Sequence, residues 1–580
     1  MKGKSIWTGM IMSVIVASGL VSCADNALLD GDKKAADYSA MQKSTLPTVY
    51  IDTENGLAVD SKETSVGASV RIIADGELNP MSSAKIRGRG NSTWRLDKKP
   101  YRIEFEKKEY FGGPENAHAK KWVLLANHAD KTMLRNNTAF FIADRLGQQF
   151  VPCSRFVDLV MNDKYLGTYE ISDFLQIKKD RINAGGLGFF VEADGSYLNE
   201  KTYFFSEKGI PFTIKDPDGE KMWPQQIQYI KDYIQKFENI LFSEDYLDPV
   251  SGYRALVDST SFVTWFLTNE FTANIDSYWS ANIYRDETDD RLYFGPVWDF
   301  DIAFNNCNRM GDVSEKMMMA AGFGRNLIGI WLKRMWSDPW FRQLAYRTWQ
   351  QARSNGLVSA TVAHIDEMVR YIDSSQQLNY SVWDIGIRNY NEMYLFDNYT
   401  DGVNFLKDFI EKRAVFMDNT LALAQTEPDA PVFNSNPFKP QNWYYNFMDE
   451  VDQWLVESDG NQVYLARRDQ SKSIEECWRI VPNSDNSAFM IVDRQNGLAI
   501  TDNSDIPGTG IILQKADENN ISQWWQILDY YAFWTIRNCR TGFILKHPVP
   551  SDEKIVTDTD TPENRSLNNF KWHIMLAEPI

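Results

Sequence analysis

The stretch YFGPVWDFDIAF, Tyr293–Phe304, places two acids, Asp299 and Asp301, within an otherwise apolar and aromatic run. Such a run is typical of a buried strand. An ionised carboxylate in a buried strand is costly unless it is paired with a cation or holds a metal. The stretch therefore predicts two carboxylates that need partners, and the rest of the sequence has to supply them.

A third acid, Asp276, lies upstream in the segment NIDSYWSANIYRD, which also contains Asn282. We expect this segment to end a helix and begin a strand. Phosphoryl transfer needs an Asp that orients the attacking hydroxyl, and an Asn and a second Asp that hold magnesium. Asp276, Asn282 and Asp299 follow in that order. Eukaryotic-type kinases share the order, but this chain lacks their HRD and DFG sequences and their Gly-rich loop.

Two other interpretations of the acidic pair stay open. Asp299 and Asp301 can be structural acids that pair with the Arg and Lys side chains of residues 85–102. A DxD sequence also occurs in glycosyltransferases, where it binds the metal of a nucleotide sugar, although nothing else in the chain indicates that fold. The histidines show no metal-ligand spacing.

The basic residues that phosphate binding would need are concentrated in two segments. The first, KIRGRGNSTWRLDKKPYRIEF (Lys85–Phe105), also contains glycines that let the backbone approach a ligand closely. The second, WVLLANHADKTMLRN, leads into a helix start, where anions are favoured. A solvated loop rim is the alternative for the first segment. The candidates for ATP or phosphate binding are Lys85, Arg87, Arg89, Lys99, Lys131 and Arg135.

Six segments of the chain together resemble one protein family. They are, in order, KIRGRGNSTW…KKPYRIEF, WVLLANHADKTMLRN, NDKYLGTYEISD, PFTIKDPD, NIDSYWSANIYRD and GPVWDFDIAF. Their sequence and order resemble those of the CotH family, which is named for a spore-coat protein and comprises atypical, secretory-type protein kinases. The resemblance covers about Leu46 to Ala424.

This resemblance implies a diverged protein-kinase-like fold, ATP as the phosphoryl donor, Mg²⁺ or Mn²⁺ as the cation, and a protein Ser or Thr as the acceptor. By motif match, Asp276 takes the catalytic position and Asp299 the metal-binding position. Asn282 and Asp301 are their neighbours at the metal. The supporting polar residues that the resemblance implies at the ATP site are Glu170, at the end of YLGTYE, and Lys215, in TIKDPD, as a phosphate contact.

One position departs from the family pattern. After WDFDIAF the family usually continues with Gly, whereas this chain has Asn305 and Asn306. We expect this change to alter the loop beside the metal, which puts catalytic turnover in question. The alternative function is that of a catalytically inert surface lipoprotein that binds glycan or cell-wall polymer.

The C-terminal part contains an internal repeat. After a Pro- and Asn-rich linker, residues 426–440, a Trp-X-Ile pattern recurs at Trp478, Trp525 and Trp572, at equal intervals of 47 residues. Three copies with short strands predict a threefold barrel. The pattern resembles the ricin-type β-trefoil, whose repeats end in Gln-X-Trp, although only Gln523 keeps that Gln. Because the repeated Trp and Ile form the core of such a barrel, glycan binding stays open.

The N-terminus, residues 1–23, has the shape of a secretory signal, with two lysines, an apolar core and small residues. It ends in LVSC, which resembles a bacterial lipobox and implies lipidation of Cys23. An ordinary signal peptide is the alternative. Residues 24–43 are polar and acidic, and they predict a flexible tether. We therefore expect a lipid-anchored protein of the cell envelope, in a bacterial outer membrane and facing the periplasm or the cell surface.

These features together predict an α+β protein. A CotH kinase-like domain with a β-rich N-terminal part spans residues 44–425, and an all-β trefoil spans residues 441–580. The net charge of −18 argues against a nucleic-acid partner. No CxxC pair occurs, so a zinc site is not expected. A disulfide between Cys477 and Cys539 stays undecided at this point.

Overall fold

The computed structural model describes residues 37–319, 327–426, 443–449, 455–466, 477–484, 487–530, 533–547, 554–561, 564–565 and 567–579. The predicted signal, the lipidation site Cys23, most of the tether and nearly all of the linker lie outside the described residues. The last tether residues are folded, because Tyr50 donates its hydroxyl to the carbonyl of Met41, 2.6 Å away. This contact holds Met41, near the end of the predicted tether, against β1.

The N-terminal unit is built on one sheet. Its elements are β1 (Thr48–Thr53), β2 (Val66–Ala74), β3 (Glu77–Pro80), β4 (Ala84–Gly88), β5 (Tyr101–Glu109), β6 (Ala119–Leu125), α1 (Arg135–Leu146), β7 (Arg155–Met161) and β8 (Lys164–Asp173). The strand order is β1-β7-β8-β6-β5-β4-β2-β3, and β1 also pairs with β2. This extra pairing makes the sheet barrel-like, with an apolar interior.

Two local signals in this unit are confirmed. The predicted hairpin turn joins β7 and β8, where Asn162 and Asp163 have φ values of 49° and 61°. Both residues therefore take the left-handed conformation that a tight hairpin turn requires, which Asn and Asp tolerate. The predicted end of α1 at Gly147 is a left-handed cap with φ 90°.

The second unit joins a smaller sheet to a group of helices. Its elements are β9 (Phe189–Asp194), β10 (Tyr203–Phe205), β11 (Pro211–Asp216), α2 (Pro224–Leu241), α3 (Ser259–Phe271), β12 (Ser280–Arg285), β13 (Leu292–Phe294), α4 (Gly329–Trp336), α5 (Pro339–Ser354), α6 (Leu357–Val382) and α7 (Tyr399–Leu423). The strand order is β10-β11-β9-β12-β13. Helices α2 to α7 and this sheet share one large core with α1.

Helix α3 lies at the centre of that core. Asp258 begins it by accepting the backbone N–H of Ser261 at 2.8 Å. The predicted buried helix is confirmed, since every residue from Ser261 to Phe271 is buried. Because α3 has no solvent-facing side over these residues, its C-terminal end is held rigidly, and the loop that follows it carries Asp276.

The C-terminal unit is all β. Its elements are β14 (Trp443–Asp449), β15 (Leu455–Asp459), β16 (Gln462–Ala466), β17 (Trp478–Pro482), β18 (Phe489–Asp493), β19 (Leu498–Thr501), β20 (Ile512–Lys515), β21 (Trp525–Tyr530), β22 (Phe533–Asn538), β23 (Ile544–Lys546), β24 (Val556–Asp558) and β25 (Trp572–Pro579). These strands form one continuous, barrel-like set of antiparallel pairings.

The three repeated tryptophans occupy equivalent places in this unit. Trp478, Trp525 and Trp572 are fully buried. Each indole N–H donates to a backbone carbonyl of an earlier strand in its own repeat, at 2.9, 3.0 and 3.1 Å respectively. The repeat predicted from the sequence is therefore present in the contacts as well as in the spacing.

The second and C-terminal units touch through a short segment before α7. Met393 is 4% exposed, and its side chain belongs to the apolar core of the C-terminal unit. Strand β25 also approaches the short 3-10 helix Asn308–Met310. This junction lies next to the residues of the candidate site.

Among the described residues, no helix has the length and apolar character needed to cross a membrane. Cys477 and Cys539 are both thiols and are not joined to each other. The thiol of Cys477 instead lies 3.9 Å from the side-chain amide of Asn446, which donates to it.

The buried indole hydrogen bonds predict that substitutions of two adjacent tryptophans lower the free energy of unfolding by unequal amounts. Trp525→Phe leaves the buried Ile500 carbonyl without its donor and opens a small cavity, so we expect it to lower the free energy of unfolding by about 2 kcal/mol. Trp524, which is less buried and donates to Glu518, is the matched control, and Trp524→Phe should cost under about 0.5 kcal/mol. Urea unfolding followed by fluorescence measures both. Equal losses would contradict the structural role assigned to the repeated Trp.

Candidate active site

The acidic stretch is not the strand that its pattern predicts. Strand β13 ends at Phe294, and Asp299 and Asp301 lie in the turns that follow. Asp299 has a φ of 57° and is exposed to solvent. The apolar residues of the stretch are buried because the turns lie against the end of α3, where the Phe304 N–H donates to the Thr272 carbonyl at 2.7 Å. Their burial explains the misleading strand-like pattern.

One asparagine joins the loop of Asp276 to the loop of Asp299. The side-chain amide of Asn274 donates to the backbone carbonyl of Asp299 at 3.1 Å. Its side-chain oxygen accepts the backbone N–H of Asp276 at 3.2 Å. The two loops that supply the candidate acids therefore have a defined position relative to each other.

The acids influence one another's ionisation. Burial and then the negative charges of Asp299, Asp276 and Asp130 raise the pKa of Asp301 to about 7. Asp299 is exposed to solvent on one side, yet desolvation by the surrounding protein raises the pKa of its carboxyl. The positive charge of Arg89 opposes this rise, and the negative charge of Asp276 adds to it. Burial and the neighbouring acids together therefore favour the protonated forms of Asp299 and Asp301.

Arg89 is the basic candidate that acts on this cluster. It follows β4, and its guanidinium lies 5.7 Å from the ring centre of Trp298, the residue before Asp299. Burial lowers the pKa of Arg89, whereas Asp299 and Asp301 raise it. The structure therefore brings this arginine to the two acids that the sequence analysis singled out.

The other basic candidates have different surroundings. Arg87 donates to the carbonyl of Lys62 at 2.7 Å, and Lys99 to that of Trp94 at 2.9 Å. Lys85 is exposed on β4.

Two further candidates near the start of α1 are engaged by the protein itself. Lys131 donates to the carbonyl of Ile387 at 2.6 Å, and Arg135 pairs with Asp130. Their described contacts are structural, and phosphate binding by them stays a prediction.

Lys215 is held by carboxylates. Its ammonium lies 2.8 Å from Glu192, 3.3 Å from Asp194 and 3.0 Å from Glu200. Burial lowers the pKa of Lys215, but these three acids together raise it above its ordinary value. The family resemblance implies a phosphate contact here, whereas the three carboxylates already neutralise the charge of this lysine.

Glu170 supports the acidic turns through a chain of buried amides. Asn127 donates to Glu170 at 2.8 Å, and Asn136 donates to Asn127 at 3.1 Å. Asn136 in turn accepts the backbone N–H of Phe300, between the two acids, at 2.8 Å. Glu170 is fully buried, and burial raises its pKa to about 7 despite hydrogen bonds from Ser154 and Asn127. Its observed role is to anchor the loop.

Asn282 also has a backbone partner. It lies in β12 opposite Glu192, and its side-chain amide donates to the Pro296 carbonyl at 2.9 Å. This contact holds the segment that leads from β13 to Asp299. Binding of a metal by Asn282 stays a prediction.

The two asparagines after the acidic stretch preserve the loop. Asn305 has a φ of 58°, the left-handed conformation that Gly adopts most easily and Asn tolerates. Asn306 donates its amide both to the Asp301 carbonyl at 2.7 Å and to the Ala129 carbonyl at 2.9 Å. The departure from the family pattern is therefore compatible with an ordered turn beside the acids.

Sequence reasoning missed several residues of this site. Asn136 and Asn274 lie within segments that it quoted, but as amides they carried no charge signal. Arg309, whose guanidinium lies 3.6 Å from Asp276, is outside every quoted segment. Only the return of the chain past the acidic turns brings Arg309 to Asp276.

The acidic cluster suits a magnesium-type cation. Asp299 and Asp301 offer hard oxygen donors, and Mg²⁺ is commonly held by one or two carboxylates together with phosphate and water. Within the described ranges, no group of three or more His, Cys, Asp or Glu is already gathered as a metal site. A divalent cation at the pair would offset the negative charges of Asp299 and Asp301.

A comparison with known protein families finds a match over more than half of the chain. The family described as CotH kinase protein matches residues 86–417, which is 332 of the 580 residues. The chain belongs to the CotH kinase protein family. The match begins within β4, ends within α7 and includes Asp276, Asp299 and Asp301. No curated protein matches the chain.

Some solved structures also resemble part of this CotH family member. They include the designed threefold protein ThreeFoil (16% identity, 23% of this chain and 97% of that chain, TM-score 0.20) and a BEL β-trefoil (10%, 24% and 95%, 0.21). A third is a Polyporus squamosus lectin bound to a sialylated epitope (13%, 23% and 49%, 0.21). These likenesses cover about a quarter of the chain.

The buried Glu170 predicts a pH dependence of stability. Its raised pKa means that the folded protein holds a proton between about pH 5 and 7 that the unfolded chain releases. Unfolding is therefore favoured as the pH rises through this window. Glu170→Gln removes the effect, so we expect the variant to gain about 1–3 kcal/mol relative to wild type between pH 5 and 8.

Denaturant titrations at pH 5, 6, 7 and 8 measure this difference. Glu106→Gln, on the exposed side of β5, is the control for loss of a charge alone. A difference between Glu170→Gln and wild type that stays constant over this range would show that Glu170 is ionised throughout.

Proposed function

We propose that this CotH family member transfers the γ-phosphoryl group of ATP to a Ser or Thr hydroxyl of a protein, in a kinase-like fold and with Mg²⁺ or Mn²⁺. The observation that carries the proposal is the cluster of Asp276, Asp299 and Asp301. Two separate loops supply these acids, Asn274 ties the loops together, and the pKa values of Asp299 and Asp301 are raised.

Asp276 is the residue that orients the acceptor. It is 34% exposed, so a substrate hydroxyl can reach it, and its backbone is held by Asn274. The hydroxyl oxygen forms a bond to the γ-phosphorus, the bond from that phosphorus to the β–γ bridging oxygen breaks, and ADP leaves with the electron pair. The hydroxyl proton passes to the Asp276 carboxylate. The protein contributes mainly position and electrostatics.

Asp299 and Asp301 are the residues that would hold the divalent cation, which when bound neutralises phosphate charge. Arg89 supplies a fixed positive charge beside them and limits their repulsion in the absence of ligand. Asn136 and Asn306 hold the backbone of the turn at Phe300 and Asp301, so both carboxylates are positioned before any ligand binds. Asn282 would contact the metal only after its side-chain amide releases the Pro296 carbonyl.

A second candidate function rests on the C-terminal unit. We propose that it is a ricin-type β-trefoil, because its three buried tryptophans make the same indole hydrogen bond in each repeat. Such a module would hold a glycan or cell-wall polymer, while a lipid on Cys23 would anchor the protein in the outer membrane of the cell envelope. In this function the CotH-like unit is an inert scaffold. The two functions are compatible in one protein.

The acids predict separable effects on binding and transfer. Asp299→Ala should weaken Mg-ATP binding at least about tenfold, because it removes a metal ligand. Asp276→Ala should change ATP affinity less than about threefold and lower transfer by about 10²–10⁴-fold, because it removes only the group that handles the proton.

Calorimetric titration of ATP with Mg²⁺, Mn²⁺ or EDTA, and transfer from γ-labelled ATP to a mixed protein acceptor, measure these effects. Asp245→Ala, at an exposed position, is the control. If Asp299→Ala binds Mg-ATP as tightly as wild type, the metal assignment is wrong.

A glycan array probed with the mature chain tests the second function. Binding to glycans together with no ATP binding under any metal condition would favour the inert surface protein. Metal-dependent ATP binding without a glycan signal would favour the kinase alone.

A further inference from the structure

Arg309 lies beside the candidate base Asp276, and one of its guanidinium nitrogens makes no hydrogen bond to the described residues. It belongs to the 3-10 helix Asn308–Met310. Its Nη2 atom lies 3.6 Å from Asp276 Oδ1, its Nε donates to Cys307 Sγ at 3.2 Å, and its guanidinium lies 5.6 Å from the ring centre of Tyr390. The side chain is mostly buried, with 16% exposed.

The Nη2 atom of this arginine lacks a hydrogen-bond acceptor in the described part of the chain, although solvent does not reach it. Its distance to Asp276 is too long for a hydrogen bond. A buried N–H without an acceptor costs free energy, so such donors are usually satisfied by a protein group, water or ligand. Here the donor without a hydrogen bond lies within ion-pair distance of Asp276, the residue that would hold the acceptor hydroxyl.

We propose that Arg309 binds the phosphoryl group that is transferred, and this inference rests on the proposed kinase function. A guanidinium is always charged, and its planar set of donors matches the oxygens of a phosphate. A group bound by Arg309 next to Asp276 sits where the new oxygen–phosphorus bond forms. There the arginine neutralises the charge that the phosphoryl oxygens carry during transfer, a role that arginines fulfil in other phosphotransferases.

The C-terminal unit contributes to the position of Arg309. Met393, whose side chain lies in the core of that unit, donates its backbone N–H to the Asn306 carbonyl at 2.8 Å. The adjacent Glu392 pairs with Cys307 through a β-bridge. The segment that carries Arg309 is thus held between the acidic turns on one side and the C-terminal unit on the other.

The test compares the binding of ATP and ADP, because only ATP carries the transferred phosphoryl group. Mg-ATP and Mg-ADP are titrated calorimetrically into the full mature chain as wild type, Arg309→Gln and Arg309→Lys. We expect Arg309→Gln to weaken ATP binding at least about tenfold and ADP binding less than about twofold. Arg309→Lys keeps the charge but loses the planar donors, so its affinity for ATP should fall between those of wild type and Arg309→Gln.

Two further variants sharpen the comparison. Arg254→Gln removes an arginine that pairs with Asp338 at 2.6 Å, away from the acids, and should leave the ATP to ADP ratio unchanged. Met393→Ser keeps Arg309 but weakens the packing that supports it. It should therefore lower the ratio of ATP affinity to ADP affinity by a smaller factor than Arg309→Gln does. If Arg309→Gln does not fold, Arg309→Lys and Met393→Ser decide the outcome.

The outcomes separate this inference from the proposed function. Wild-type binding of Mg-ATP with an unchanged ATP to ADP ratio in the Arg309 variants would overturn the role of Arg309 and leave the kinase function standing. Absence of nucleotide binding in the wild type would overturn both. A loss of ATP binding relative to ADP binding in the Arg309 variants, with Arg254→Gln unchanged, would support the inference.

Discussion

Repulsion among Asp276, Asp299 and Asp301 is the constraint on which the central part of this protein depends. Three carboxylates from two loops would separate if the loops were free. Burial, and after it the neighbouring acids, raise the pKa values of Asp299 and Asp301. Neutral amides resist this separation. Asn274 joins the two loops, and Asn136 and Asn306 hold the backbone on either side of Asp301. Amides suit this task because they donate and accept hydrogen bonds without adding charge to the cluster.

The site is also a meeting point of the three units. The chain of amides that begins at Glu170, in the N-terminal sheet, ends at Phe300 between the acids. The helical unit supplies Asp276 through the buried end of α3. The C-terminal unit reaches the same place through Met393 and the segment around Arg309. A ligand at the acids would therefore contact a surface whose shape depends on the packing of all three units.

Local patterns predicted the regular elements well. The turn at Asn162 and Asp163, the end of α1 at Gly147 and the buried helix α3 are confirmed, because each depends on the conformational preference or the periodicity of neighbouring residues. The prediction of a buried strand through Asp299 and Asp301 was wrong. Apolar side chains in irregular turns can be buried just as strand residues are, and their pattern alone does not distinguish the two cases.

By itself, the sequence determined that Asp276, Asp299 and Asp301 are the candidate acids and that the C-terminal part repeats three times, since residue type and spacing carry both signals. The tertiary structure alone decided which cations belong to the acids. Of eight basic or supporting candidates, Arg89 lies beside them, whereas Lys215 and Arg135 are neutralised by nearby carboxylates. Arg309 reaches Asp276 without any local signal. The physical reason is that charged side chains choose partners by distance in space, which a local sequence pattern does not encode.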